Sequence, residues 1–479
     1  MAPHGGGDAS GTASIYTDDG AAGPAGAVVK VAVVAALGGF LFGYDSAVIN
    51  GAVSAVESTF TVDPVSLGFA VASALIGAAA GSLLAGTIAD RLGRLSVMRI
   101  AAVFFLLSAL GAAFAPALGV LVVFRIIGGL GVGMASVIAP AYIAEVSPAH
   151  IRGRLASLQQ LAIVTGIFIS LLVDFLLATA AGGSGAMLGG MEAWRWMFLA
   201  MAVPSLVYGG LSLTIPESPR YLISKHKVSE ATVILKRLTG GIDVGATVAR
   251  IQQSVERDTA PSWHDLKNPG GRIAGIVWVG LLLSVFQQFV GINVIFYYSN
   301  VLWEAVGFKE DQAFVITVIS ATINILTTLV AIATVDRFGR KPLLIIGSIG
   351  MTVTLATMAV IFGTAPVVNG APELSGAAGP IALVAANLFV VAFGMSWGPV
   401  VWVLLGEIFP NRMRAAALSL AAGAQWVANW VITVSFPGLK DVSLALAYGL
   451  YAAFALLSLL FVMRFVHETK GKTLEDMKA

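Results

Sequence analysis

Long apolar runs recur along this chain, and they constrain its fold more than any other feature. Each run has about 20 or more residues with at most two charges, which is long enough to cross a hydrocarbon core about 30 Å thick. We place twelve of them, at 28–49, 66–88, 95–115, 117–146, 155–178, 194–215, 273–303, 313–335, 342–363, 381–405, 413–436 and 444–465. Only 11% of all residues are charged and 57% are apolar, whereas an ordinary soluble domain has about 25% charged residues. The chain is therefore predicted to be an all-α membrane protein that spans the lipid bilayer twelve times.

Positive charge is distributed unevenly between the loops that join these runs. Of the 28 Lys and Arg residues, Arg125 lies deep within a run and Arg195, Lys309 and Lys440 fall on one side, so the remaining 24 fall on the other side. An even number of spans puts both termini on the same side, and by this count it is the basic side. The positive-inside rule assigns the basic side to the cytoplasm. We therefore expect a multi-pass protein of the plasma membrane with both termini cytoplasmic.

Net charge and cysteine content narrow the possible partners. The net charge is only +2, which gives no basis for binding nucleic acid, and the chain has no cysteine, which excludes disulfides and cysteine-based metal sites. Residues 1–27 are rich in Gly, Ala, Ser and Asp and lack the basic start of a signal peptide, so they are predicted to be a disordered cytoplasmic tail. No cofactor and no metal site is predicted.

The two halves of the chain repeat each other around a charged segment. Three patterns each occur twice. The two copies of Asp-Arg-x-Gly-Arg are 246 positions apart, the two pairs of Glu and Arg spaced by seven residues are 262 apart, and the two Glu residues followed by Ser or Thr are 251 apart. Between the halves, 15 of the 54 charged residues fall in 217–272, where the patterns at 229–238 and 244–257 predict short amphipathic helices. A duplicated six-helix bundle is the architecture of an alternating-access carrier. The predicted parts are the tail 1–27, an N-terminal six-helix bundle at 28–215, a cytoplasmic helical linker at 216–271, a C-terminal six-helix bundle at 272–465 and a cytoplasmic tail at 466–479.

The repeated charges predict a gate on the cytoplasmic face. Asp can cap a helix and Arg can bridge to Glu or to a helix end, so bonds among them would hold one access state and break in the other. The alternative is that they are only solvated charges, but their occurrence at equivalent loops favours the gate. The predicted gate residues are Asp90, Arg91, Arg94, Glu145, Arg152, Glu217, Asp336, Arg337, Arg340, Glu407 and Arg414, with Arg154 and Arg412 as further charges on the same face.

Seven segments of the sequence, in this order, resemble a known family. They are GGFLFGYDSAVING (38–51), RIIGGLG (125–131), 140–145 followed by Arg152-Gly153, PESPR (216–220), QQFVGINVIFYY (287–298), 397–407 and ETKGKTL (468–474). Together they are typical of the sugar porters of the major facilitator superfamily, and the resemblance covers nearly everything after residue 27. It implies a major facilitator fold with two pseudo-symmetric six-helix halves. One departure is His467, where the family usually has proline.

Neutral polar residues inside the apolar runs predict the sugar site. A sugar needs uncharged donors and acceptors for its hydroxyl groups and an aromatic surface for its apolar face, although such residues also bond helices together for about 0.6 kcal/mol each. The resemblance places these residues at or around the sugar: Gln160, Gln287, Gln288, Asn293, Asn324, Trp402, Gln425, Trp426 and Phe42, with Tyr297 and Asn429 nearby in the sequence. Gly291 is expected to break the helix between Gln288 and Asn293. Ile167 is apolar, as in glucose facilitators, where the bacterial xylose symporter has a glutamine, and this favours glucose over xylose.

Asp45 and Arg125 are opposite charges deep in the first and fourth runs. A charge at the membrane centre costs roughly 2.5–3.5 kcal/mol, so each is expected to have a partner. They are either a static ion pair or a proton switch, in which Asp45 is ionised while Arg125 is close and protonated when it moves away. The resemblance favours the switch, because proton-coupled members carry Asp here and facilitative members typically carry Asn. Asp174, in the fifth run, is expected near the outer end, where water reaches it. A role in proton coupling is the less favoured alternative for this residue.

These features together predict a proton-coupled symporter of a hexose such as D-glucose, which works by alternating access and as a monomer. Its expected partners are a monosaccharide, protons and the lipid bilayer, and no enzyme activity is predicted. The alternatives are a facilitative uniporter in which Asp45 and Arg125 are structural, a symporter of xylose or another monosaccharide, and a sugar receptor that does not transport. The 14 residues after Phe465 are short for the signalling tail of such a receptor.

Overall fold

Helices account for almost all of the structure. The computed structural model describes residues 24–147, 152–239, 244–257, 266–267, 271–368, 371–409 and 413–469. The N-terminal half contains α1 (Pro24–Ala47), α2 (Ile49–Phe60), α3 (Pro64–Leu92), α4 (Arg94–Ala113), α5 (Leu118–Val146), α6 (Arg152–Ala181), α7 (Ala193–Ala200) and α8 (Ala202–Leu211). The middle segment contains α9 (Pro219–Ser224), α10 (Val228–Thr239) and α11 (Val244–Arg257). The C-terminal half contains α12 (Gly275–Phe289), α13 (Ile292–Ala305), α14 (Glu310–Phe338), α15 (Arg340–Thr364), α16 (Ala378–Gly394), α17 (Trp397–Ile408), α18 (Arg414–Val442) and α19 (Leu444–Phe465).

Short antiparallel hairpins are the other regular structure within the described ranges. They are β1 (Met187–Leu188) with β2 (Met191–Glu192), and β3 (Val367–Val368) with β4 (Ala371–Pro372). Each hairpin joins two membrane spans on the side away from the Asp-Arg-x-Gly-Arg boxes.

Eleven of the twelve predicted spans are present as helices long and apolar enough to cross a membrane. The remaining one, predicted at 194–215, is built from α7 and α8, which meet at Met201. Pro204 has no N–H to donate to the preceding turn, and the helix is interrupted within that turn, at Met201. Trp194, Met197, Met201 and Tyr208 are all buried at helical spacing, so the buried face continues across the interruption. The twelve-span prediction therefore holds, with the sixth span in two pieces.

Two further spans are interrupted in the middle, the seventh between α12 and α13 and the tenth between α16 and α17. The first span is divided into α1 and α2 at Val48, but Val48 keeps helical dihedral angles and its N–H bonds the carbonyl of Tyr44. Gly291 lies between α12 and α13 with φ of 84°, a left-handed conformation that glycine adopts without steric cost. The predicted break between Gln288 and Asn293 is therefore present. Interrupted spans free backbone groups at mid-membrane, where such groups are tolerated around a site.

Each half packs as a bundle, and in the described part of the chain the halves meet mainly along three pairs of helices. Within the halves, α1 packs against α5 and α6, α3 against α5, α12 against α18, and α15 against α19. Between the halves, α3 packs against α18, α6 against α14, and α2 against α13. Helices α3 and α14 are the second spans of their halves, and α6 and α18 are the fifth spans. The α3–α18 and α6–α14 contacts are therefore equivalent under the internal repeat.

The middle segment forms a small helical layer. Its helices α9, α10 and α11 share an apolar cluster formed by Leu222, Ile223, Ala231, Leu235, Val244 and Val248. Both predicted amphipathic helices are confirmed, the first as Val228–Thr239 and the second as Val244–Arg257.

Both predicted tails extend beyond the described residues. Helix α1 begins at Pro24, four residues before the expected start of the first span. The predicted disordered tail therefore falls almost entirely in residues 1–23, outside the described part of the chain. The same holds for residues 470–479 of the C-terminal tail.

Large apolar side chains cover the outside of the bundle. Leu83, Val203 and Leu213 are each at least 66% exposed. An apolar surface of this extent is unfavourable in water, and it is the surface that a helix presents to lipid.

Candidate functional site

One end of the bundle, which we call the charged end, carries matching ionic clusters in the two halves. In the N-terminal half, the guanidinium of Arg94 donates to Glu145 through Nε (3.0 Å to Oε2) and Nη2 (2.9 Å to Oε1). The carboxylate of Glu217 accepts from the backbone N–H groups of Arg94 and Leu95, at 3.0 and 3.2 Å. It thereby caps the first turn of α4, where the helix dipole favours negative charge. Gly93, with φ of 95°, lets the chain pass so close to Glu217 that a Cβ atom would overlap the carboxylate.

The C-terminal half repeats this cluster with equivalent atoms. Arg340 donates to Glu407 through Nε (3.0 Å to Oε2) and Nη2 (2.7 Å to Oε1). Glu468 accepts from the backbone N–H groups of Arg340 and Lys341, at 3.0 and 2.9 Å, and caps α15. Gly339, with φ of 91°, has the same position in this cluster as Gly93 in the first. Each cluster ties three spans of its own half together.

The remaining predicted gate residues are less fixed in place. Asp90 is an outlying partner of Arg94, 3.4 Å from Nη1 and 75% exposed, while Arg91 and Arg337 are exposed. The side chains of Arg152, Arg154, Asp336 and Arg414, and the whole of Arg412, lie outside the described part of the chain. Glu468 was missed as a gate residue, although its place in the repeated Glu-Ser/Thr motif could have identified it.

The opposite end, which we call the far end, joins the two halves. Asn50 on α2 donates through Nδ2 to the carbonyl of Phe296 (3.0 Å), and its Oδ1 accepts from the backbone N–H of Asn300 (3.1 Å). Ser54, one turn further along α2, donates to Glu304 on α13 (3.1 Å). Asn50 was not predicted as a site residue, although a polar residue in an apolar run was the available signal.

A third contact at the far end closes the seam between α6 and α14. The backbone N–H of Ser184, just after α6, donates to Glu310 Oε1 at the start of α14 (2.9 Å). Gly68 on α3 lies against the backbone of Val434 on α18, where a Cβ atom would approach the Val434 carbonyl to 2.5 Å. The far end is therefore closed by direct contacts between the halves.

Asp45 lies on α1 in the interior of the N-terminal half. It is 1% exposed, and neither carboxylate oxygen has a hydrogen-bond partner. Arg125 approaches it from α5, but its guanidinium donates to the backbone carbonyls of Asp45 (3.3 Å) and Val71 (3.2 Å). The ring of Phe198 lies 6.0 Å from the guanidinium carbon. The expected pairing of the two side chains is thus not made in this state, and the charge of Arg125 is held by main-chain oxygens.

Space around Asp45 depends on a glycine. An added Cβ atom on Gly128 of α5 would lie 2.8 Å from Asp45 Oδ1 and overlap the hydroxyl oxygen of Ser108. Asp45 and Ser108 therefore both lie over the Gly128 backbone. A carboxyl group in this position has no route to water and no bonded counter-charge.

Asp174 does not lie where water reaches it, and that prediction was wrong. Its side chain is 0% exposed, and its carboxylate oxygens have no hydrogen-bond partner. The reason is the close packing of α6 against α1 and α2, where Gly43, Gly51 and Gly166 bring the backbones together.

The break in the seventh span gathers amide side chains in the C-terminal half. Gln287 donates through Nε2 to the carbonyls of Trp397 (2.8 Å) and Gly398 (3.1 Å), at the start of α17. Gln288 Oε1 accepts a short hydrogen bond from Asn293 Nδ2. The amides of Gln288 and Asn293 therefore meet across the turn at Gly291, as the sequence predicted. Of these side chains Asn293 is only half-buried.

Aromatic side chains from both halves meet in the middle of the bundle. The rings of Phe42 on α1 and Trp426 on α18 lie 5.9 Å apart. Gln425, next to Trp426, is half-buried, and its Oε1 has no partner. Trp402 on α17 is 45% exposed.

The other predicted sugar residues lie on the helices that surround this region. Asn324 on α14 is buried next to Gly394, and Asn429 on α18 accepts from Thr433 Oγ1 (3.1 Å). Tyr297 lies beside Asn429. On α6, Gln160 and Ile167 are half-buried and two turns apart, and the Ile167 backbone approaches Gly43, the neighbour of Phe42.

Neither a second sugar site nor a metal site is indicated elsewhere in the described residues. An apolar cleft of about 450 Å³ lies between α3, α12 and α18, lined by residues such as Leu83, Val285 and Val427. Ser419 is the one polar side chain of its lining, which is too few for the hydroxyl groups of a sugar. Among the described residues, no group of three or more His, Asp or Glu side chains could hold a metal ion.

Comparison with known proteins gives one consistent result. The family model described as sugar (and other) transporter matches residues 31–479. The glucose transport protein of Synechocystis sp. is 57% identical over 453 residues, which cover 94% of this chain and 97% of that protein. The D-xylose-proton symporter of Escherichia coli is 40% identical over 491 residues, covering 94% and 95%. A solved structure of the E. coli xylose transporter, in a partially occluded inward open conformation, superposes with a TM-score of 0.79 at 39% identity and covers 93% of this chain and 99% of that one.

Proposed function

The chain belongs to the sugar (and other) transporter family, and we propose on that premise that it is a proton-coupled symporter of a hexose, D-glucose in the first instance. The observation that carries the proposal is the state of Asp45. A buried carboxyl without a bonded counter-ion is more stable neutral than ionised, and the nearby Ser108 hydroxyl and Arg125 offset this only in part. We therefore assign a proton to Asp45 in the state described here.

Arg125 supplies the other half of the proton switch. In this state its guanidinium is bonded to main-chain carbonyls of α1 and α3. A rotation of α1 that brings the Asp45 carboxylate to Arg125 would stabilise the ionised form and release the proton. Asp45 lies three residues before the α1–α2 junction at Val48, and Asn50, which closes the far end, lies two residues after it. Protonation of Asp45 and closure of the far end thus act on the same short stretch of chain.

The amide cluster supplies the sugar site. Gln287, Gln288 and Asn293 meet at the break of the seventh span. Gln425 lies beside Trp426 on α18, and we assign Trp402 of α17 to the same site. Uncharged donors and acceptors suit hydroxyl groups, and indole rings suit the apolar face of a pyranose. Gln160 and Ile167 would contact the sugar from the N-terminal half. The site therefore lies between the two halves, as alternating access requires.

The charged end is assigned to the cytoplasm of the plasma membrane, because 24 of the 28 Lys and Arg residues fall on its side. In this assignment the far end faces outward and is closed, so the structure corresponds to an inward-facing state. The ionic clusters of Arg94 and Arg340 would then act as gate elements that re-form partners across the halves when the charged end closes. The likeness to an inward open conformation of the xylose transporter agrees with this assignment.

Proton movement in proteoliposomes tests the proposal. Glucose added outside vesicles that hold the purified protein and a pH-sensitive dye should acidify the lumen, because each sugar enters with a proton. Labelled glucose that equilibrates without any lumenal pH change would instead identify a facilitative uniporter. Failure of labelled sugar to equilibrate at all, with binding intact, would identify a receptor. The same assay with xylose in place of glucose separates the two sugars.

A further inference from the structure

A polar stripe runs along the face of α6 that packs against α1 and α2. Its members are Gln159, Ser170 and Asp174, which recur at helical spacing together with Ile163 and Gly166. The three polar side chains are at most 7% exposed, and the amide of Gln159, the hydroxyl of Ser170 and the carboxylate of Asp174 have no hydrogen-bond partner. Buried polar groups without partners are costly, so an apolar stripe would be expected here if the seam were purely structural.

The seam between these helices is too tight to hold water. A Cβ atom on Gly43 would overlap the carbonyl of Ile163, and one on Gly166 would overlap the carbonyl of Phe40. Further along the seam, an ideal Cβ atom on Gly51 would lie 2.6 Å from Asp174 Cβ and 2.7 Å from its Oδ2. The carboxyl of Asp174 therefore lies directly on the backbone of α2.

Among the described residues, no cationic side chain is bonded to the Asp174 carboxylate. From α1 the titratable neighbour is Tyr44, which is buried and whose hydroxyl also has no partner. On α5, Arg125 is bonded to the carbonyls of Asp45 and Val71. Near the end of α6, the start of α14 presents Lys309, Glu310 and Asp311 around a cleft, and Glu310 is bonded to the backbone of Ser184.

The remaining elements against α6 are α7, α2 and β1. Arg195 of α7 is paired with Glu192 at 2.9 Å, β1 carries no charge, and α2 presents the backbone of Gly51, whose N–H lies close to the carboxyl. An ionised carboxylate cannot be accommodated here at moderate cost, so Asp174 is neutral while α2 is in place.

The position of Asp174 connects it to closure of the far end. Gly51, on which it lies, directly follows Asn50, whose amide bonds Phe296 and Asn300 across the halves. When the far end opens, Asn50 must leave α13, and any displacement of α2 uncovers the Asp174 carboxyl. Water then reaches it and accepts its proton.

We propose that Asp174 is a second proton-binding site, which is protonated while α2 closes the far end and loses its proton to water when α2 moves away. This deepens the proposed proton-coupled transport and rests on it. The closed state binds one proton more than the open state at this site. Acidification therefore favours closure, and alkalinisation favours opening.

A distance measurement across the far end tests the proposal. The chain has no cysteine, so a single pair, Val65→Cys on α3 and Asp311→Cys on α14, can carry spin labels without background. The measurement is made without sugar in an Asp45→Asn, Glu304→Gln background, which removes the titration of Asp45 and of Glu304, the acid that bonds Ser54 across the same end. The fraction with the short, closed distance should fall as pH rises, with the ratio of closed to open states changing by up to about tenfold per pH unit for one proton.

Adding Asp174→Asn should abolish this pH response and leave the far end closed at alkaline pH, because the amide has the same size and no charge. Asp174→Leu, which is also neutral, should give the same result, and Ser170→Ala on the same stripe should keep the response. A pH response that persists in both Asp174 variants would overturn the proposal, as would a far end that shows no pH response before Asp174 is changed. Failure of the proposed symport would be seen separately, as labelled glucose that equilibrates into proteoliposomes of the original protein without uphill accumulation and without a lumenal pH change.

Discussion

The two halves of this protein are alike at the charged end and different in the middle of the membrane. At the charged end, Arg94, Glu145 and Glu217 are matched by Arg340, Glu407 and Glu468, with donor atoms and distances that correspond. In the middle, the buried ionisable acids and their arginine belong to the N-terminal half. In the C-terminal half, among the described residues, no Asp, Glu, Lys or Arg is buried within a span away from the charged end.

This difference indicates a division of labour between duplicated bundles. Both copies keep the cluster that ties three spans together, because each half must move as a unit. In the interior, by contrast, the proposed proton sites belong to the N-terminal half, and most amides of the proposed sugar site belong to the C-terminal half. In this proposal, separation keeps the carboxyl of Asp45 away from sugar hydroxyl groups that would solvate its charge. The proposed coupling is then carried by the far-end contacts between Asn50 and α13.

The largest expected effect concerns the feature that the halves share. Arg94→Ala and Arg340→Ala should each lower the unfolding free energy by about 2–4 kcal/mol, since each leaves a partly buried glutamate without its partner. The two losses should be similar, and Arg91→Ala, at an exposed site, should cost less than about 0.5 kcal/mol. Unfolding in detergent at rising denaturant measures all three. Strongly unequal losses at Arg94 and Arg340 would show that the clusters are not equivalent.

The second prediction tests the proposed sugar site in the C-terminal half. Gln288→Ala should weaken glucose binding about tenfold, because one or two hydrogen bonds worth about 1–1.5 kcal/mol are lost. Titration calorimetry gives the affinity, and Gln253→Ala on the exposed face of α11 is the control. Asp45→Asn should leave this affinity within about twofold of the original. Unchanged binding in Gln288→Ala would remove this residue from the site.

A smaller effect is expected at the aromatic wall. Trp402→Ala should weaken glucose binding about three- to tenfold and Trp402→Phe less, since ring contacts contribute about 0.5–1.5 kcal/mol. Trp278 on α12 provides a matched control, because its side chain is 52% exposed and that of Trp402 is 45% exposed. If Trp278→Ala weakens binding as much as Trp402→Ala, the effect comes from packing and not from contact with the sugar.

The smallest effect is expected in the selection between sugars. Ile167→Gln should shift the ratio of glucose to xylose uptake towards xylose by about three- to tenfold, because a single side-chain change in a pocket contributes about 1–3 kcal/mol at most. Competition between the two labelled sugars in proteoliposomes measures the ratio. A ratio that stays constant would show that Ile167 does not contact the sugar.

Much of this architecture could be predicted from the sequence. Apolar runs located the spans, the repeated Asp-Arg-x-Gly-Arg boxes located Arg94 and Arg340, and Gly291 marked the break that gathers the amides. These features are local, or are visible as a repeat, so a single sequence contains them.

Other features depend on how helices pack, which spacing along the chain does not determine. The burial of Asp174 follows from glycines on three helices, α1, α2 and α6, that approach each other. The bonds of Arg125 to main-chain carbonyls depend on the exact approach of α1 and α3, so charge complementarity alone predicted a pair with Asp45 that this state does not contain. For Asn50 the sequence shows a polar residue in an apolar run, but not its role, because its partners are backbone groups of α13.

Uphill transport by Asp45→Asn tests the central claim most directly. Proteoliposomes that contain either protein are given an inward proton gradient and labelled glucose at equal concentration on both sides. The original protein should accumulate glucose against its gradient, whereas Asp45→Asn should not accumulate it, yet should still exchange labelled for unlabelled glucose. Accumulation that is undiminished in Asp45→Asn would contradict the assignment of the coupled proton to Asp45.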